Sequence, residues 1–494
     1  MHSKYKLLAL AISVATISAC SNSKNEQINQ PPIEDIAVEY QGVWVSSAYA
    51  DVLNVKNDSV EYYKYTSDYC ILQDSFDGLS TSDLARSVEL SENNDALRWI
   101  AGYGTQEFGA PSRELVKQNS MPASCQNNVF SSESTLDNTE WFNLYSQIMQ
   151  EYYVDFSRMN VDWQQLSYDL SLNITPNINT LYEAIFQSFI SLQDGHNSFE
   201  DAQGTLIKVL AKPTHFMNLI EEYANENGLA FPLDASALSA SQIDAIENYI
   251  DDALEIEQDI ILSYANTSIK QDPSEQISWF AIDDIGYLRI DAMTGYSTQS
   301  DDSDDLAQTT SSLNNLNSAI DKVLTDFSET TGLIIDIRSN GGGNDYISLT
   351  IASRFTNAEF VAYKKYARDG NSTTEPQLAI VEPSLDIQYT EKPIVLLVSE
   401  ETASAAEVFA LTMSQLSTVT LVGQATQGIF SDVLEFALPN GRQLGISNEV
   451  YLTPSDVWLE GTGVPVNVEV EYFSKNDRDS GIDSGIENAL AILQ

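Results

Sequence analysis

Leu333–Gly343 reads LIIDIRSNGGG, and Ile394–Ala410 reads IVLLVSEETASAAEVFA. Each opens as a short aliphatic, β-branched run of the kind that forms a buried strand. The first run ends in Asp336, Arg338 and Asn340 and then in three glycines, Gly341 to Gly343. Glycines at the carboxyl end of a strand let the backbone turn tightly and bring N–H groups close to a ligand. The second run passes through a Ser/Thr/Glu stretch into a helical pattern. That places Ser404 at the first turn of a helix, where free amides point and the helix dipole favours negative charge. The two segments together predict a nucleophile and oxyanion donors at neighbouring strand ends.

Working outward, strands alternate with helices from Ile277 to the C-terminus. Gly286–Ile290, Leu333–Ile337, Ile394–Val398, Val419–Val422, Val433–Leu438 and Leu444–Ser447 read as strands. Ser311–Phe327, Tyr346–Arg354 and Ala403–Gln415 read as helices. Such alternation indicates a sheet covered by helices, an α/β unit over residues 277–494. Asn440-Gly441 marks a hairpin turn. Residues 139–275 have a helical period: Trp141, Leu144, Ile148 and Tyr152 share one face, and Val161–Ser171, Thr180–Leu192 and most of 204–266 follow suit. Residues 37–130 are β-rich, with short aromatic strands between turn signals, and read as a small barrel or sandwich. No chemistry is evident in that part, which is expected to bind substrate or dock a partner.

The mature chain is strongly acidic. Once Lys4 and Lys6 are removed, 72 acidic residues face 22 basic ones, a formal net charge near −50. Such a surface repels nucleic acid and anionic membranes and keeps the protein soluble. Residues 1–19 have the form of a secretory signal: Lys4 and Lys6, the short apolar run Leu7–Ala15, then small residues up to Cys20. The run is too short to span a bilayer.

Ile17-Ser18-Ala19-Cys20 resembles the lipobox of bacterial lipoproteins, which implies lipidation at Cys20 and a tether over 20–36. Ser21 in place of aspartate implies outer-membrane sorting, with the protein facing the periplasm. The alternative is a soluble secreted protein with an incidental Cys20. Two cysteines then remain, Cys70 and Cys125. In an oxidising compartment they suggest one disulfide, worth about 4 kcal/mol on the chain-entropy model; two unpaired thiols are the alternative. No Cys/His cluster suggests a metal site, and no cofactor is expected.

Six stretches carry a family resemblance. They are IGYLRI (Ile285–Ile290), DIRSNGGG (Asp336–Gly343), TASAAE (Thr402–Glu407), GQATQG (Gly423–Gly428), LPNGRQL (Leu438–Leu444) and EGTGVP (Glu460–Pro465). In this order they resemble the S41 peptidases, the tail-specific, C-terminal processing and tricorn-core-like proteases. The resemblance implies a ClpP/crotonase-like α/β core. It implies Ser404 as nucleophile, and Gly342, Gly343 and Ala405 as backbone donors to the tetrahedral oxyanion.

Serine needs a base. Where the processing branch of that family carries a lysine, this sequence has Ile429, and the sole lysine after Ser404 is Lys475 in the polar tail. The tricorn-like branch uses a histidine oriented by an acid. The mature chain has two histidines, His196 and His215, and Leu192–Ser198 (LQDGHNS) resembles that branch's Asp-Gly-His motif. The resemblance implies His196 as base and Glu460 as the acid that holds it, with Glu407 as the rival acid. Structural roles suit Asp194, Asp336 and Arg338, and Thr426 resembles a residue close to the site. Val466-Asn467 stands where the family has Pro-Asp, and no PDZ-type glycine loop occurs between His196 and Ile285. The expected function is a serine endopeptidase acting on polypeptides through an acyl-enzyme. The alternative is a non-catalytic ligand- or peptide-binding protein on the same fold, as in interphotoreceptor retinoid-binding protein. Oligomeric state is not legible.

Overall fold

A computed structural model describes residues 35–99, 113–210, 212–233, 238–299 and 305–494. The signal segment, Cys20 and nearly all of the tether lie outside these residues, as does part of the β-rich region, 100–112.

The core is a seven-stranded sheet. In order across it lie Lys270–Gln271, Ile277–Ile282, Ile285–Ile290, Gly332–Asp336, Ile394–Val398, Val419–Gly423 and Val468–Glu469. From Ile285–Ile290 onward every pairing is parallel. Parallel strands are covered on both faces, which is why LIID and IVLLV are apolar without alternation. Leu333, Ile335, Leu396 and Val398 face one layer, built by the helices Asp305–Asp326, Asp345–Ala352 and Ala405–Met413. Ile334, Val395 and Leu397 face the other, built by the end of Ala240–Ser263 and by Ser484–Leu493. The strand ends at Asp336, Val398 and Gly423 therefore share one edge.

A second, four-stranded sheet runs Leu206–Lys208, Ser198–Glu200, Arg442–Ser447, Val433–Leu438. Helices Asn138–Tyr152 and Ile178–Leu192 pack on it around Trp141, Tyr145 and Phe199. Residues 139–275 are therefore not a self-contained helical layer, because Ser198–Glu200 is stitched to Arg442–Ser447 of the core. The stretch 204–266, expected to be largely helical, holds a strand and two helices, His215–Glu226 and Ala240–Ser263.

The β-rich front part is one eight-stranded sheet between Gly42 and Ser131, in place of the expected barrel or sandwich. Cys70 and Cys125 are joined in a disulfide there. The sheet is anchored to the core. Gln73 exchanges two hydrogen bonds with the backbone of Ala437 (3.0 and 2.8 Å), and the Tyr49 hydroxyl donates to the buried Glu449 carboxylate.

Candidate active site

Glycines and short polar side chains staple the first two strand ends together. The Asn340 Nδ2 donates to Ile290 O at 3.0 Å, Thr402 Oγ1 to Ile337 O at 3.0 Å, and Ser399 Oγ to Arg338 O at 2.6 Å. The Ala403 amide donates to Asn340 O at 3.1 Å. Arg338 is buried between Asp336 and Asp483, with Nη2 at 2.6 and 2.7 Å from their carboxylates. Asp336 and Arg338 thus tie the strand end to the start of the last helix.

Ser404 sits immediately before the Ala405–Met413 helix, with φ 56° and ψ −126°. This conformation is strained for a residue with a Cβ, at roughly 1–3 kcal/mol. Gly342 (φ 103°) lies directly against it: a Cβ there would stand 2.8 Å from Ser404 Cβ and 2.7 Å from Ala403 O. The Gly342 amide donates to Asn340 Oδ1 at 2.9 Å, so it can serve an oxyanion only by giving up that bond. Gly343 bridges Met293 in parallel fashion, with Met293 N on Gly342 O and Asn344 N on Met293 O. That pattern leaves the Gly343 amide pointing to the other side, where the Ile394–Val398 strand and Ser404 lie. Among the described residues neither the Gly343 nor the Ala405 amide forms a hydrogen bond within the protein.

Glu407, one turn into the helix, is buried and wholly engaged. Its Oε1 accepts from Thr426 Oγ1 (2.6 Å) and Gly428 N (2.6 Å), its Oε2 from Ile429 N (2.8 Å) and Ser404 N (3.1 Å). Burial pushes the carboxyl up, and these donors oppose the push. Thr426 passes the linkage on, accepting from Val464 N at 2.7 Å. Asn467 takes over the local pinning at the departure from Pro-Asp: it exchanges two hydrogen bonds with the backbone of Leu421 (2.9 and 2.8 Å).

The histidine turn follows the Ile178–Leu192 helix, which Gln193 ends in the left-handed region (φ 47°). Asp194 Oδ1 accepts from the His196 amide at 2.9 Å and from Ser447 Oγ at 3.1 Å, which shapes the turn. The His196 ring is buried and its Nδ1 has no hydrogen-bond partner. Burial lowers its pKa to about 4, against the opposing pull of Asp194. Gly195 presses on Ile429, since a Cβ would meet its Cγ2 at 2.9 Å.

Glu460 is buried as well. Its Oε2 accepts from Phe430 N (3.0 Å) and Ser431 N (3.2 Å), while Oε1 has no partner. Burial, reinforced by Asp194 and Glu407, pushes this carboxyl well above the ordinary range. Arg158 joins the Glu460 and His196 turns: it donates to Leu192 O (3.0 Å) and Gln193 O (3.1 Å), and Gly461 packs against its guanidinium.

The turns carrying Ser404, His196 and Glu460 are thereby gathered around the loop 426–431. Ser404 and His196 share no hydrogen bond; Glu407 and Ile429 link them. Arg158 and Lys212 escape sequence reasoning. Lys212 Nζ donates to Thr426 O and Thr462 O, both at 2.6 Å, and its amide to Gln427 Oε1 at 2.8 Å. Nothing local in the sequence signals either contact.

The parallel sheet, the glycine turn and the strained serine at its strand ends make up an α/β core. Residues 284–470 match the model of peptidase family S41. Carboxy-terminal processing protease CtpA of Bacillus subtilis is 28% identical over 169 residues, 30% of this chain and 34% of that protein. A carboxyl-terminal-processing protease of Picosynechococcus is 31% identical over 121 residues, 24% of this chain and 27% of that protein. The protein thus spans about a third of the length of the curated relatives it matches. The crystal structure of a candidate peptidase from Parabacteroides merdae is similar in fold. Its TM-score is 0.55 at 22% identity, covering 73% of this chain and 97% of that one.

Proposed function

We propose that this protein is a serine peptidase that cleaves polypeptides through an acyl-enzyme on Ser404. The observation that carries the reading is Ser404 itself: a strained residue at a helix start, beside the unbonded amides of Gly343 and Ala405. Strain of this kind is held only where the surroundings over-determine it, and it presents the hydroxyl outward. His196 takes the hydroxyl proton and returns it to the leaving amine. Glu460 holds the ring and balances its positive charge when it forms. The Gly343 and Ala405 amides, with Gly342 once released by Asn340, bind the oxyanion. Apo sites commonly hold such groups too far apart, and substrate draws them together.

The neighbours named as carboxy-terminal processing proteases favour polypeptide as substrate. The helices and strands described between His196 and Ile285 support a PDZ-less reading, in which capture of substrate tails by their terminal carboxylate has no part. The signal-like N-terminus supports export and a lipid anchor at Cys20, facing the periplasm from the outer membrane.

Labelling by a fluorophosphonate probe, with a casein digest alongside, tests the reading. Wild type should be labelled and should cut casein, Ser404→Ala should do neither, and His196→Ala should be labelled far more slowly. Folded wild type that resists the probe and leaves casein whole would return the protein to the ligand-binding alternative.

A further inference from the structure

His196 is not surrounded only by its own turn. It precedes the Ser198–Glu200 strand, and Asp432 precedes the Val433–Leu438 strand, at the same end of the four-stranded sheet; Ser447 of the strand between them binds Asp194. The backbone of Ser431 lies by the imidazole, and the charges facing the ring are Asp194, Lys208 and Asp432. Glu460 stands behind Phe430 and Ser431.

The segment Phe430–Asp432 is gripped from two directions. On one side Glu460 takes two of its amides. On the other, the grip comes from the N-terminal sheet. Arg113, buried, donates from Nη2 to Asp432 Oδ2 at 3.0 Å, and its guanidinium lies 4.5 Å from the Tyr49 ring centre. Tyr49 donates to Glu449, whose other oxygen takes Lys365 Nζ at 3.0 Å. The Glu449 amide donates to Ser431 Oγ at 3.1 Å. A domain expected to bind substrate or dock a partner therefore sends a cation, 319 positions away in sequence, to the segment that abuts the histidine.

We propose that Arg113 is a positioning residue for His196: through its ion pair with Asp432 it fixes the Ser431–Asp432 segment against the imidazole and sets the charge that the ring feels. This rests on the reading of His196 as the base. Burial pushes the Asp432 carboxyl up, but Arg113 and Lys365 hold it below the usual range. Removal of Arg113 alone leaves Asp432 ionised, because Lys365 stays beside it. Its negative charge, then balanced by Lys365 alone, favours imidazolium. Removal of the Asp432 charge does the reverse.

The test uses the full-length protein and two readouts. The His196 ring is titrated by NMR, assigned by its loss in His196→Gln, and the acid limb of kcat/KM is followed on a peptide substrate. Arg113→Gln should move both upward by about one pH unit, and Asp432→Asn should move both downward. The double variant should return close to wild type, and Arg113→Lys should stay there. A role confined to docking the sheet would lower stability and leave the titration still. Unmoved titrations in Arg113→Gln and Asp432→Asn, or shifts in one direction for both, overturn the proposal; if Arg113→Gln does not fold, Asp432→Asn and Arg113→Lys decide. A wild type that titrates as expected but is never labelled at Ser404 would refute the peptidase reading alone.

Discussion

The Ser404 amide and the Glu407 carboxylate are hydrogen-bonded at 3.1 Å, and the same carboxylate oxygen binds Ile429 N at 2.8 Å. One acid thus holds the strained serine turn and the loop that packs on the histidine turn. With four donors filling it, Glu407 has no lone pair directed at an imidazole, which leaves Glu460 as the acid of the proposed site. Glu407→Ala would leave four donors facing a void. The expected cost is about 3 kcal/mol or more in urea unfolding, with slower fluorophosphonate labelling of the molecules that stay folded. An unfolding midpoint indistinguishable from wild type would show that the carboxylate is not the clamp.

Gly342 is the second test of the serine turn. Its φ of 103° suits glycine, and an added Cβ would run into Ala403 O and Ser404 Cβ. Both contacts are with backbone or with the serine itself, so nothing flexible can yield. Gly342→Ala should abolish labelling at Ser404. Far-ultraviolet circular dichroism should stay close to wild type, because the buried strand before it is unchanged. Labelling at the wild-type rate would place the oxyanion donors elsewhere.

What the sequence made legible follows from how local each signal is. Ile394–Val398 and Val433–Leu438 have the same bounds in sequence and structure, since an apolar run or a clean alternation bounded by turns has one reading. Phe360–Asp369 escaped, because Lys364 and Lys365 interrupt its pattern. Lys365 is nevertheless buried, and the Glu449 carboxylate that makes this tolerable is 84 positions away. The site divides in the same way. Ser404 and the glycines declare themselves through a strand end and a helix start. Glu407 looked like a rival acid because its partners Gly428 and Ile429 cannot be seen from its own helix. Arg113 and Asp432 gave no sign at all, as only the docking of the front sheet brings them together.

Glu460 offers a charge test without a change of shape. Its carboxyl is held well above the ordinary range, chiefly by burial. The sign follows: an acid with a raised folded pKa loses stability as pH climbs past about 4.3, the unfolded value, and glutamine does not. Glu460→Gln should therefore be at least as stable as wild type at neutral pH, with its carbonyl oxygen still accepting from Phe430 and Ser431. Its neutral amide cannot balance the imidazolium charge. Turnover should fall on the order of 10²-fold or more. A variant equally stable and equally fast would exclude Glu460 as the acid that balances the imidazolium.

The buried histidine sets a pH window that can be read in stability as well as in rate. His196 in the folded protein has its pKa lowered to about 4 by burial, whereas an unfolded histidine titrates near about 6.5. Between those values the unfolded state holds a proton that the folded one lacks, so stability rises with pH across the window. The contribution is complete above about pH 6.5 and is lost as pH falls toward 4, amounting to on the order of 3 kcal/mol. Subtracting the unfolding free energies of His196→Gln from those of wild type isolates this term from the many carboxylates of so acidic a protein. The difference should be flat above neutrality and should decline steadily below it. The rate should obey the same group, because only the neutral ring can accept the serine proton: kcat/KM should climb through the acid limb and level off before neutral pH. A difference curve flat from pH 4 to 7 would mean that the ring titrates alike in both states and is solvated, which the packing of the Asp194–His196 turn against Ile429 does not allow.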